Sequence, residues 1–252
     1  MTELTVEDLR RFGRDGFLLV PGLIPPADVA AANAAIDTII AANPSPGVGQ
    51  QSYVEKGAEM NPALLGLLTR TPAYGIAEQL AAPGCLIGPS HVQVALTFPP
   101  YQHIPGAGHI DGLGPKKPGG RPNSFTLLIG VILSDQSADN MGNLHVWPGT
   151  HLATAEYART HGMAALISAA AGTSSPPVPQ ENRRQLHGRP GDVVFAHYLL
   201  AHNIGGNTST IVRRSVYLRL KHAGHEQHWE RALTDAAYEF DGVRAAMAGE
   251  GT

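Results

Sequence analysis

At 252 residues, with 43% hydrophobic and 15% charged side chains, the chain is long enough to bury one sizeable core and has the composition of an ordinary globular protein. A formal net charge of -3 without any basic block excludes a broad phosphate-binding surface, so no nucleic-acid partner is expected. Cys85 is the only cysteine, which excludes an intrachain disulfide and a cysteine-built zinc site, and no apolar run approaches the length of a membrane span.

The N-terminus, MTELTVEDLRRFGRDG, lacks the basic and then apolar layout of a secretory leader, so a cytoplasmic protein is expected, with no membrane partner. Within it TVEDLRRF sets Thr5 as an N-cap and Asp8 three residues later, which predicts a helix. GFLLVPGLI then reads as a short strand ended by Pro21-Gly22. PPADVAAANAAIDTIIAAN is dense in alanine and predicts a helix from Pro26, where a first turn accepts proline, to a stop at Asn43-Pro44.

From about residue 90 the texture changes to SHVQVALTFPP, SFTLLIGVILSD, GNLHVWPG, DVVFAHYLL and RRSVYLRLKH. These short β-rich runs, separated by Gly, Pro, Asn and Asp, predict a sandwich or barrel. SAAAGTSSPPVPQENRRQ, between two of the strands, reads as an exposed loop. The expected organisation is one domain over 1–252. It has a helical front with supporting strands (1–90), a β core (91–222) and a C-terminal helix and tail (223–252). The fold class is mainly β with flanking helices.

GAGHIDGLGP sets His109 and Asp111 two apart among glycines, and in an extended segment such residues point the same way while Ile110 points the other. With 12 histidines in the chain, about half an accidental His-x-Asp is expected, so the motif needs a partner from elsewhere. His202, at the end of a buried-looking strand and before a Gly-Gly-Asn turn, is the candidate third ligand. Two histidines and one carboxylate on one face of an octahedral ion leave open positions, the arrangement of non-haem Fe(II) oxygenases. Eleven residues further on, Arg213 and Ser215 share one strand face, opposite Val216, Leu218 and Leu220. An arginine turned into a barrel beside a metal needs an anion, and a guanidinium with a hydroxyl suits a carboxylate.

The ordered set RDGFLLVPGLI, HID, GNLHVWPGTH and HNIGGNTSTIVR resembles the phytanoyl-CoA dioxygenase family of Fe(II)/2-oxoglutarate oxygenases over about residues 5 to 220. The resemblance implies a double-stranded β-helix, or jelly roll, of cupin-like form. It implies His109, Asp111 and His202 as iron ligands, Arg213 with Ser215 on the distal carboxylate of 2-oxoglutarate, and O2 as the oxidant. It further implies hydroxylation of a small molecule with release of succinate and CO2. Asp111 fills the position that a halogenase would leave to chloride, so oxygen insertion is expected.

Other positions carry weaker signals. Gln93 and Thr97 share a strand face and are candidates to reach 2-oxoglutarate or substrate, as is Thr126 on the small-residue face with Gly130. Trp147, just before a Pro-Gly turn, is a candidate substrate contact. His197 is five residues before His202 and is expected to be structural, and HAGHEQH at 222–228 is expected to be solvated. Two rival readings are a zinc hydrolase or isomerase on a cupin-like barrel, which leaves Arg213 and Ser215 without a role, and a non-enzymatic jelly-roll binding protein.

Overall fold

The computed structural model describes residues 3–42 and 49–249. Helix α1 (Val6–Asp15) starts at the predicted Thr5 cap, where the Thr5 hydroxyl accepts from the Asp8 N–H and the Asp8 carboxylate accepts from the Thr5 N–H. It ends at Gly16, whose φ of 82° is the left-handed value that favours glycine after a helix. Strand β1 (Phe17–Val20) follows, then α2 (Pro26–Ala42). The predicted stop at Asn43-Pro44 lies outside the described residues. After β2 (Gln51–Val54) come α3 (Pro62–Thr69) and α4 (Ala73–Leu80).

The β-rich stretch contains β3 (Leu86–Thr97), β4 (Leu127–Ile132) and β5 (Leu144–Val146). Helices α5 (Thr150–His161) and α6 (Met163–Ala169) then lead to β6 (Arg184–Gln185), β7 (Val193–His197), β8 (His202–Ile204) and β9 (Arg213–His222). The chain closes with α7 (His225–Thr234) and α8 (Asp241–Ala248). Six strands make one antiparallel sheet in the order β1-β7-β4-β9-β3-β2, and β6-β5-β8 make a second. The result is a jelly roll.

Alternation along the strands creates two cores. On the outer face of the large sheet Val216, Leu218 and Leu220 of β9 join Val92, Val94, Leu127, Ile129 and Phe195, and pack under α1 to α4 and α8. On the inner face Ala95, Leu128, Val194 and Tyr217 meet Leu144, Val146 and Ile204 of the small sheet, with α5, α6 and α7 alongside. Arg213 and Ser215 share the inward parity of Tyr217, as predicted, and are 1% and 2% exposed. None of the helices among the described residues is long and apolar enough to cross a membrane.

Candidate metal centre

Residues 108–111 run as an extra strand segment beside β8. The His109 N–H donates to the His202 carbonyl (2.9 Å) and the His202 N–H to the His109 carbonyl (3.0 Å). Its other edge is held by the segment expected to be a plain exposed loop. There the Ile110 N–H donates to the Ser174 carbonyl, the Gly108 N–H to Gln180 Oε1, and Gln180 Nε2 to the Gly108 carbonyl. The segment is irregular and largely exposed, as expected, and in addition Gln180 acts as a side-chain clamp on the motif. Ile110 is fully buried, so His109 and Asp111 turn the opposite way.

The ligand atoms of His109, Asp111 and His202 all lie within 4.8 Å of one another. Asp111 Oδ1 is 3.4 Å from His109 Nε2 and 3.8 Å from His202 Nε2. His202 Nδ1 lies 3.0 Å from the Leu200 carbonyl, a bond made by the Nδ1–H tautomer, which leaves the Nε2 lone pair for a cation. Burial, and His109 beside it, hold the His202 imidazole below its ordinary value, in the neutral form that ligates. Burial raises the Asp111 carboxyl, but the His109 hydrogen bond and the charges of His202 and Arg219 outweigh it and hold the group far below the usual carboxylate range. With His202 neutral, Arg219 is the standing countercharge, its Nη2 2.7 Å from Asp111 Oδ2.

These side chains line an open cavity of about 670 Å³ together with Tyr53, Gln93, Leu128, Leu144, Ile204, Tyr217 and Arg219. Gln93, a predicted contact, reaches it and donates to Glu55 (3.1 Å). Arg213 and Ser215 line a smaller recess, about 250 Å³, that shares Tyr217 with the main cavity. The Arg213 guanidinium donates to the Tyr217 hydroxyl (2.7 Å) and to the Ala95 carbonyl (3.3 Å). Among the described residues its Nε has no partner, and neither does the hydroxyl of Thr97, the residue paired with Arg213 across β3 and β9. Ser215 Oγ accepts from Gln136 (3.2 Å).

Among the described residues this buried guanidinium is held by a phenol and a carbonyl and meets no counterion, and the unpartnered Nε and Thr97 hydroxyl are the donors an incoming carboxylate would use. The donor set near the cluster, two imidazoles and a carboxylate, suits iron equally well. The residues present therefore fit both groups.

Two expected contacts lie elsewhere. Thr126 precedes β4 and sits under the C-terminal helices, donating to Glu239 (2.6 Å) and accepting from the His222 N–H, so it is remote from the recess. Trp147 is 3% exposed and does not line the cavity; its ring packs where a Cβ on Gly108 would stand. His197 is structural as expected, Nε2 donating to the Ala236 carbonyl and Nδ1 accepting from the Leu199 N–H. HAGHEQH is not simply solvated: His225 is fully buried between Ser124 (2.8 Å) and Glu239 (2.9 Å). Arg219 was not singled out from sequence, although it continues the parity of Arg213, Ser215 and Tyr217.

No protein-family model matches the chain. The ectoine dioxygenase of Streptomyces anulatus is 24% identical, across 85% of this chain and 77% of that relative. Among solved structures, SnoK, a non-haem α-ketoglutarate-dependent carbocyclase from nogalamycin biosynthesis, superposes with a TM-score of 0.66 at 24% identity, covering 87% of this chain and 85% of its own. HygX from Streptomyces hygroscopicus, with nickel and 2-oxoglutarate bound, gives 0.60 at 15% identity, covering 88% of each. The chain thus has the fold of SnoK and HygX.

Proposed function

We propose that the chain is a non-haem Fe(II)/2-oxoglutarate-dependent dioxygenase of the phytanoyl-CoA dioxygenase type. It oxidises an unactivated C–H bond of a small molecule, by hydroxylation, and releases succinate and CO2. The observation that carries this reading is the His109, Asp111 and His202 cluster standing next to a recess whose buried Arg213 lacks an anion. A zinc hydrolase has no use for that arginine, and a binding protein has no use for either feature. The names of the relatives, a dioxygenase and a carbocyclase, point the same way while spanning different outcomes of C–H oxidation.

Each residue has a distinct task. His109 and His202 through Nε2, and Asp111 through Oδ1, would hold the iron. Arg213, with Ser215 and Thr97 at the same depth, would take the far carboxylate of 2-oxoglutarate. Iron with 2-oxoglutarate and O2 supplies an oxidant strong enough for a C–H bond, and the protein contributes orientation and exclusion of side reactions. Leu128, Leu144 and Ile204 give the cavity apolar walls that shed water, and Gln93 and Tyr53 offer polar contacts to a substrate.

The test is anaerobic titration of Fe(II) and then 2-oxoglutarate, followed by assay of succinate after admission of air. One iron per chain, a visible charge-transfer band on adding 2-oxoglutarate, and slow succinate formation without substrate are expected. Tight zinc binding with no spectral response to 2-oxoglutarate sinks the oxygenase reading.

A further inference from the structure

Arg219 lines the cavity and holds neither metal nor co-substrate in this scheme, yet it makes the shortest contact to the cluster. The two oxygens of Asp111 are divided: Oδ1 faces both imidazole Nε2 atoms at 3.4 and 3.8 Å, while Oδ2 accepts from Arg219 Nη2 at 2.7 Å. Arg219 comes from the central strand β9, paired with His91 on one side and Leu128 on the other, so its backbone is fixed by two neighbours. Its guanidinium lies over the Phe125 ring, 5.3 Å from the centroid, and Phe125 is held edge-on against Tyr198. The side chain is thus clamped by strand and ring, and a charge-assisted bond from such a base fixes the carboxylate it meets.

A free carboxylate can grip a divalent ion with one oxygen or with both. With Oδ2 taken, only Oδ1 is offered. We infer that Arg219 is a positioning residue that keeps Asp111 a one-oxygen ligand. The inference rests on the proposed metal centre. Its consequence is arithmetic: two imidazoles and one oxygen leave three positions on an octahedral ion, room for a chelating 2-oxo acid and one further small molecule. Two imidazoles and two oxygens leave only two, which the 2-oxo acid alone would fill. Arg219 would therefore protect the position that the oxidation needs.

Mn(II) alone is a suitable probe, because electron paramagnetic resonance in 17O-enriched water counts the waters bound to it. The expected result is three waters on the wild-type protein and two on Arg219→Met, which keeps an apolar stem against Phe125 but removes the fork. Arg219→Lys, with one donor within reach of Oδ2, should restore three. Phe125→Leu removes the stacking and keeps the guanidinium, so it should also show three, which a merely structural role for Arg219 does not predict. Should the wild type itself show two waters, the inference is overturned whatever the variants do. An unchanged count in Arg219→Met overturns it while leaving the metal centre intact. If the wild type binds no Mn(II) or Fe(II) at the cluster, the metal centre fails and this inference fails with it.

Discussion

His109 and His202 are joined through their peptide groups, each N–H donating to the other's carbonyl at 2.9 and 3.0 Å. Two candidate ligands from distant parts of the chain are therefore set by main-chain bonds that survive removal of either side chain. His109→Ala should abolish stoichiometric iron binding while changing stability by no more than about 0.5 kcal/mol, because its side chain is 37% exposed. His202→Ala should lose iron as well and cost about 1–2 kcal/mol, since its Nδ1 bond to Leu200 is buried. Calorimetric metal titration and thermal melts read both quantities.

Arg213 and Arg214 separate the recess from the surface. Arg213 is buried on the inner face, whereas Arg214 points out to Asp37 (2.7 Å). Arg213→Ala should weaken 2-oxoglutarate by roughly thirty-fold to a thousand-fold, on the order of 2 to 4 kcal/mol for a lost charge-assisted contact, with iron binding kept. Arg214→Ala should leave co-substrate affinity unchanged. Titration of the iron-loaded protein with 2-oxoglutarate compares the two, and the reverse ranking would show that the recess is not the co-substrate site.

The legible parts of this protein are those governed by short-range periodicity. The i, i+2 rule put His109 with Asp111 and Arg213 with Ser215, and the Thr5 cap and the main strands follow from local chemistry. Carried four residues further, the same parity reaches Arg219, although nothing local says that its partner is Asp111. Thr126 fails because strand parity stops where the strand does, one residue later, and its neighbours come from the C-terminal helices. His225 reads as solvated because its burial depends on Ser124 and Glu239, one far back in the chain and one on a separate turn. Gln180 sits in a segment whose composition signals a loop, and composition does not show which strand a loop clamps.

Histidines 151 and 197 give the protein an acid limit. Burial pushes His197 down to about 3, with His151 beside it adding to the effect, and burial pushes His151 down to about 4. Their folded values lie below the ordinary 6.5 of an unfolded histidine, so between these limits the unfolded chain binds protons that the native one does not. Stability is therefore full above about pH 6.5 and falls as pH drops toward 4. Each histidine contributes about 1.4 kcal/mol per pH unit in that window, or about 2.7 kcal/mol for the pair from pH 6 to 5. Urea melts at pH 7, 6 and 5 measure the slope, and His197→Gln should cut it by about half. A flat profile would contradict the burial argument.

Glu239 ties the C-terminal helices to the barrel through Thr126 (2.6 Å) and His225 (2.9 Å), with Ser124 completing the chain on the far side of the ring. All four groups are at most 4% exposed. Removing one partner strands the rest in a water-poor site, so Glu239→Ala should destabilise by about 3 kcal/mol or more. Iron affinity should hold at temperatures well below the lowered melting point, because the network touches none of the three ligands. Melting curves with and without Fe(II) test both halves of the expectation.

Gly108 governs how closely the metal strand approaches Trp147. A Cβ there would stand 2.6 Å from two atoms of the indole ring and 3.1 Å from the Ala201 Cβ. Trp147 is 3% exposed and its main-chain N–H donates to the Ala201 carbonyl (3.0 Å), so the close-packed residue has little room to yield. Gly108 is followed by His109, and Ala201 by His202, so relief of the clash displaces the two histidines that share the cluster. Gly108→Ala should cost about 1–3 kcal/mol by overpacking and weaken iron as well. Gly112, on the other side of the motif, is required for a different reason: its φ of 67° is left-handed, and a Cβ would meet the Asn123 carbonyl at 2.8 Å. Pairing Gly108→Ala with Trp147→Leu separates contact from conformation. The double variant should be more stable than the sum of the singles by at least about 1 kcal/mol and should recover part of the lost iron affinity. Strict additivity would show that the Trp147 contact is not what requires glycine at this position.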